Sequence, residues 1–305
     1  MRNGKPGLDR RAKPRLSPAT MNEFTDGHWQ SRDGLKLHYR LYDGPGDAVP
    51  AVCLPGLTRN ARDFEVLAVR LSTSRRVYCP DMRGRGDSAY ARESASYNPL
   101  QYIEDMGELF EQAGIERFVA IGTSLGGLMT MIMAMTMPQR LAGAALNDIG
   151  PEIDPEGLER IRGYVGQGRS FPTWMHAARA IEEVQQSAFP DYDLSQWLVM
   201  AKRTMTVSGN GRIVFDYDMK IAEPFAQAEN VAGVDLWPGL DALAGKPLLF
   251  LRGELSDLLT EETLARMQER MPQAEAVTVP RVGHAPTLDE PEAVEAIERL
   301  MARVA

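Results

Sequence analysis

Ser124 stands in Val119-Ala120-Ile121-Gly122-Thr123-Ser124-Leu125-Gly126-Gly127-Leu128, where a short apolar run meets Gly-x-Ser-x-Gly and then a helical apolar pattern at Leu128, Met129, Ile132 and Met133. A strand running straight into a helix crowds the serine backbone, so Gly122 and Gly126, lacking Cβ atoms, let neighbouring backbone pass closely. A serine hydroxyl is a poor nucleophile at neutral pH. It needs a base to take its proton and a third group to orient that base. Of the four histidines, His28 and His38 fall on early strand-like segments and His176 lies in a helical stretch. His284 is the expected base, because it follows the strand-like run ending at Val279 and so sits at a carboxyl-terminal strand edge, where open α/β sheets bind ligands. Asp257 is the expected acid, on the loop after Leu248–Leu251, although an aspartate there also suits a helix N-cap. Asp148, after Leu141–Leu146, is its main rival.

Attack of such a serine on a carbonyl creates an oxyanion that needs preorganised donors. The backbone N–H of Leu125 is one candidate, at the start of the helix after the turn. The other is the N–H of Leu57, in the loop Pro55-Gly56-Leu57-Thr58-Arg59-Asn60, where Gly56 permits a tight turn.

The elements that must position these groups are legible as an alternation. Residues 28–31 and 35–42 read as a hairpin around Asp33-Gly34. Strand-like runs at 52–54, 76–79, 118–121 and 141–146 then alternate with helical patterns at 63–71, 100–112 and to about Met135. From Gly150-Pro151 to about Pro238 only helical patterns and aromatics appear. The alternation resumes with strands at 248–251 and 276–279 and helices at 260–271 and 291–304. This predicts an α/β fold, a mostly parallel sheet with helices on both faces, interrupted by an inserted helical lid. The expected organisation is a basic tail over 1–22, a core over 23–150 and 239–305, and a lid over 151–238. The lid span holds ten of the chain's 22 aromatic residues, enough both to build its own small core and to line a pocket. Trp174, Trp197 and Met129 are the candidate lining residues. Met129, Met133 and Met137 also share one helix face, which reads as core packing.

Composition sets the outer bounds. With 44% hydrophobic and 25% charged residues among 305, the chain is of ordinary globular type. Its net charge of −8 argues against general nucleic-acid binding, which requires a clustered basic surface. Residues 1–20 carry six Lys or Arg against one Asp, with several Gly and Pro and almost no apolar residues, and read as a flexible extension. No run approaches the roughly 18 apolar residues of a membrane span. Two cysteines, Cys53 and Cys79, each inside a strand-like run, read as buried free thiols. A cytoplasmic protein without membrane association is expected.

Together the Gly-x-Ser-x-Gly turn, the order of nucleophile, acid and histidine, and the Gly56 loop resemble the α/β-hydrolase family with a cap domain, over about residues 24–303. Asp81-Met82-Arg83-Gly84-Arg85-Gly86-Asp87-Ser88 matches the family's D-x-R-G-x-G-x-S stretch, which the resemblance implies shapes a loop rather than performs chemistry. One position departs from the pattern. Family members usually carry histidine before the oxyanion-loop glycine, whereas Pro55 stands here, removing an N–H and fixing φ. Serine at position 124 separates the chain from haloalkane dehalogenases and epoxide hydrolases, whose nucleophile is a carboxylate. The resemblance implies acyl transfer to water on a carboxylester or lactone, with no metal or organic cofactor; the aromatic insertion favours a small or medium apolar substrate, and its aromatics could equally form the interface of a homodimer. Hydrolysis of a carbon–carbon bond of the vinylogous 1,5-diketone type is the enzymatic alternative; a ligand receptor on the same fold is the non-enzymatic one.

Overall fold

The computed structural model describes residues 24–226 and 235–304. The expectation for the basic tail, 1–22, falls outside them. The chain begins with strands β1 (Thr25–Gln30) and β2 (Lys36–Tyr42), which pair antiparallel. Strand β3 (Ala51–Leu54), helix α1 (Glu65–Leu71), strand β4 (Val77–Asp81), helix α2 (Pro99–Gln112), strand β5 (Phe118–Thr123), helix α3 (Leu125–Thr136) and strand β6 (Leu141–Asn147) follow. After an insertion come β10 (Leu248–Gly253), α9 (Glu261–Arg270), β11 (Glu275–Val279) and α10 (Pro291–Ala302). The eight strands form one sheet in the order β1-β2-β4-β3-β5-β6-β10-β11, parallel from β4 onward.

Alternation along the strands explains why both faces of this sheet carry helices. Val52 and Leu54 belong to one apolar cluster, Ala51 and Cys53 to the other; Leu248 and Phe250 divide from Leu249 and Leu251 in the same way. A strand apolar on both sides must be covered on both. Helices α2, α3 and α9 contribute to the first cluster, through Met106, Leu109, Met129 and Met267. Helices α1 and α10 contribute Leu67, Ile297 and Leu300 to the second. The helix ends are set locally. Asn98 caps α2 by accepting the Gln101 N–H at 3.0 Å ahead of Pro99, and Thr260 caps α9 through the Thr263 N–H at 3.0 Å.

The insertion holds α4 (Pro155–Tyr164), β7 (Ser170–Phe171), α5 (Trp174–Gln185), α6 (Leu194–Thr204), β8 (Met205–Val207), β9 (Ile213–Phe215), α7 (Ala222–Ala226) and α8 (Trp237–Asp241). The lid, expected to be helical, carries helices and also three short strands that the sequence did not show. β7, β9 and β8 form a small antiparallel sheet whose strands are two or three residues long, too short to display a period-2 pattern in sequence. The insertion is tied down at several points. Asp216 accepts from Arg62 at 2.5 Å and, through its carbonyl, from the Gly86 N–H at 3.2 Å; Asp218 accepts from Tyr97 at 2.6 Å. The Arg203 carbonyl accepts from Asn60 and Arg62 at 3.1 and 3.2 Å. No helix among the described residues is long and apolar enough to cross a membrane.

Candidate active site

Ser124 occupies the turn between β5 and α3 at φ 51°, ψ −113°, in the left-handed half of backbone space that a non-glycine residue adopts only when its surroundings impose it. The surroundings are visible. A Cβ on Gly122 would lie 2.4 Å from the Gly126 carbonyl oxygen, and one on Gly126 would lie 2.1 Å from the Leu54 carbonyl oxygen. The Ser124 N–H donates to the Asn147 carbonyl at 3.0 Å, and the Ser124 carbonyl accepts from Gly127 and Leu128 at 2.9 and 3.1 Å. The hydroxyl is thereby held at the tip.

His284 Nε2 lies 2.9 Å from Ser124 Oγ, and His284 Nδ1 lies 2.7 Å from Asp148 Oδ2. An ionised carboxylate only accepts, so Nδ1 carries the proton toward Asp148 and Nε2 accepts from the serine hydroxyl. Asp148 follows β6 directly, at φ 55°, and is fully buried. Its carboxylate is satisfied on both oxygens. Oδ1 accepts the Gly253 N–H at 2.7 Å, and Oδ2 accepts the Ser256 hydroxyl at 2.6 Å as well as the imidazole. Ser256 Oγ in turn accepts the Leu258 and Leu259 N–H groups at 3.2 Å each, so its own proton is committed to Asp148. On the other flank, Asn147 donates to Thr123 Oγ1 at 3.0 Å and to the Pro286 carbonyl at 2.9 Å, joining the serine strand to the histidine loop.

The expectation that Asp257 orients His284 is corrected by this geometry. Asp257 is held by both Nε and Nη2 of Arg160 on α4, the latter at 2.9 Å. Burial tends to raise its pKa, but the hydrogen bond and charge of Arg160 bring it below the usual carboxylate value. The acid is engaged by the insertion, not by the imidazole.

The Leu57 and Leu125 N–H groups, expected as oxyanion donors, make no hydrogen bond among the described residues. Leu57 lines the same cavity as Ser124 and His284. Its carbonyl is anchored from behind by Arg85 Nε at 2.7 Å, while the fully buried Arg85 also donates to the Arg83 carbonyl at 2.7 Å and to the Tyr102 hydroxyl at 3.1 Å. Pro55 leaves this loop in place: the Gly56 carbonyl accepts the Arg59 N–H at 3.1 Å. The Asp81–Ser88 stretch works as a brace. Asp81 accepts from the Ala61 and Asp87 N–H groups at 2.7 and 3.1 Å, and Arg83 is clamped by Asp105 at 2.6 and 2.7 Å and by Asp33 at 2.9 and 3.0 Å.

The cavity offers about 160 Å³, room for roughly five water molecules at about 30 Å³ each and hence for a small ligand. Its aromatic lining from the insertion comes from Tyr164, Phe171, Phe189, Phe215 and Tyr217. The residues expected there lie elsewhere. Trp197 is 1% exposed and packs against Phe189 and Tyr192 inside the insertion, Trp174 packs against the same cluster, and Met129 is fully buried in the sheet core. Nothing in an aromatic's spacing tells which side of its helix meets the cavity and which meets the core. Among the described residues, His38, Asp81 and Asp87 come close enough to hold a cation, but both His38 nitrogens are already bonded, to Asp81 at 2.7 Å and Asp26 at 2.9 Å.

The chain is similar to several known hydrolases. The chain is 35% identical over 263 residues to the 3-hydroxybutyrate-oligomer hydrolase of Cupriavidus necator, covering 84% of this chain and 89% of that protein. It is 26% identical over 262 residues to an esterase of Mycobacterium tuberculosis, covering 83% of each. Among solved structures, an alpha/beta hydrolase from Novosphingobium aromaticivorans superposes with a TM-score of 0.90 at 60% identity, covering 93% of this chain and all of that one. The family model of the alpha/beta hydrolases matches residues 51–297, spanning the serine turn, Asp148 and His284, and the chain belongs to that family.

Proposed function

We propose that the protein is a serine hydrolase that cleaves an ester bond of a small or medium substrate through Ser124, His284 and Asp148. The observation that carries this reading is the continuous hydrogen-bonded chain from Ser124 Oγ through both His284 nitrogens to Asp148, opening into a cavity with apolar walls. Ser124 Oγ attacks the ester carbonyl while His284 Nε2 takes its proton, and Asp148 stabilises the imidazolium. The Leu57 and Leu125 N–H groups receive the oxyanion. Collapse of the tetrahedral adduct breaks the carbon–oxygen bond, and His284 returns the proton to the departing alcohol. A water molecule, deprotonated by His284, then hydrolyses the acyl-serine and restores the enzyme. The named activities of the relatives support an ester substrate, and that of the Cupriavidus protein directs attention to short esters of hydroxy acids.

A fluorophosphonate probe tests the reading. Intact protein is expected to be labelled and Ser124→Ala is not; labelling of both to the same extent, or of neither, defeats it. A panel of 4-nitrophenyl esters, lactones and 3-hydroxybutyrate oligomers then ranks substrates by kcat/KM.

A further inference from the structure

The charge around the reaction cavity runs against that of the chain. The protein carries −8 overall, yet Arg59, Arg169 and Arg203 line the Ser124 cavity against a single acidic lining residue, Asp63. Two of the three arginines are engaged within the protein. Arg59 grips Asp63 through two nitrogens at 2.6 and 2.7 Å, and Arg203 pairs with Asp289 at 2.6 Å. Arg169 differs. It lies exposed between α4 and β7, 5.4 Å above the Phe171 ring, and has no carboxylate partner among the described residues. An adjoining groove shares Met200, Arg203 and Thr287 with the cavity, but its further wall carries Asp289 and Glu290. A substrate anion is therefore disfavoured on that side and favoured on the side of Arg169, the lining cation with no carboxylate beside it among the described residues.

We infer that the cavity selects esters bearing a free carboxylate, and that the Arg169 guanidinium receives it. This rests on the ester-hydrolase reading and deepens it. The apolar lining of Phe171, Phe215 and Tyr217 holds the carbon chain, Ser124 takes the ester carbonyl, and the planar fork of Arg169 meets the carboxylate at the rim. The bond broken and the route of the proton are unchanged; the arginine contributes binding and orientation.

The test uses two matched pairs, so that the carboxylate is presented on either side of the ester. On the acyl side they are the mono-4-nitrophenyl ester of adipic acid and its carboxamide counterpart. On the alcohol side they are the butanoyl ester of 3-hydroxybutanoate and its carboxamide. For at least one pair, kcat/KM is expected to favour the carboxylate about fivefold at low ionic strength, the factor set by a partly exposed ion pair, and the preference is expected to shrink as salt is added. Arg169→Gln brings the ratio within that pair toward unity, Arg169→Lys retains part of it, and Arg179→Gln, the same charge change on an exposed insertion residue outside the cavity, leaves it in place. A ratio at or below unity for both pairs in the unaltered protein, or one that survives Arg169→Gln, overturns the inference. Hydrolysis of the carboxamide without preference removes this inference alone, whereas no turnover of any of the four removes the ester-hydrolase reading with it.

Discussion

Asp148 reaches His284 because its own backbone is bent into the left-handed region one residue after β6, which swings the carboxylate between the Gly253 N–H and the Ser256 hydroxyl. The proposed roles of the two aspartates separate cleanly by substitution. Asp148→Asn is expected to lower kcat on 4-nitrophenyl butyrate by about 10⁴-fold, since an amide presents the imidazole with the wrong partner. Asp257→Asn, which loosens a partly exposed pair with Arg160, should leave kcat within about threefold. The reverse pattern in steady-state kinetics would return the acid to Asp257. Ser256 acts one step further out, with its proton fixed on Asp148 by the two N–H groups behind it. Removing a hydrogen bond to a charged group costs about 1.5–3 kcal/mol. Ser256→Ala is accordingly expected to reduce kcat by about ten- to a hundredfold with KM nearly unchanged, and Ser256→Thr to recover most of the loss. An equal fall in both parameters for Ser256→Ala, without recovery by threonine, would mean that the residue only holds the loop.

Elements were legible wherever a pattern had length to show itself. The strands from β3 to β6 are continuous apolar runs, α2 and α10 open on proline, and the glycines of the β5–α3 turn announce a close passage of backbone that the 2.1 Å approach of Leu54 to a hypothetical Gly126 side chain makes concrete. Three features were not legible. The short strands β7, β8 and β9 carry too few residues for a period. The choice between Asp148 and Asp257 depended on Arg160, which comes from a helix about a hundred residues away in sequence and occupies the more plausible carboxylate. The roles of Trp174 and Trp197 depended on which face of α5 and α6 turns to the cavity. The β1–β2 hairpin also carries a contact that responds to pH. Buried His38 bridges Asp81 and Asp26, and although burial lowers its pKa, hydrogen bonds to those carboxylates more than reverse this and raise it above the ordinary value. A raised folded-state pKa stabilises the fold fully below the unfolded value, near 6.5, and this stabilisation is lost as pH rises through the folded value. The Tm of the unaltered protein is therefore expected to decline between about pH 6 and 8.5 more steeply than that of His38→Gln; parallel curves would show that His38 contributes no such linkage.

At the scale of the molecule, the site is supported by a buried cation. Arg83 is fully buried and joins the hairpin loop through Asp33, the helix α2 through Asp105 and the loop after β4 that carries Arg85. Asp33 still faces Arg83 when Asp105 is altered, so Asp105→Asn is expected to destabilise the protein by about 1.5–3 kcal/mol, the cost of removing a hydrogen bond to a charged group, read as a lowered midpoint in urea unfolding; a shift below about 0.5 kcal/mol would mean that Asp33 alone compensates the buried guanidinium. Asp148 lies close to Ser124 along the chain as well as in space. Ser124 and Asp148 are both carried by one β–α–β unit, β5-α3-β6, and only His284 arrives from beyond the insertion. Two of the three groups are thus encoded within 25 consecutive residues, and their spacing is fixed by a single crossover. Asp257 itself stands outside the proposed proton path and is free to vary with the insertion it grips, whereas its neighbour Ser256, which donates to Asp148, ties the same loop to that path.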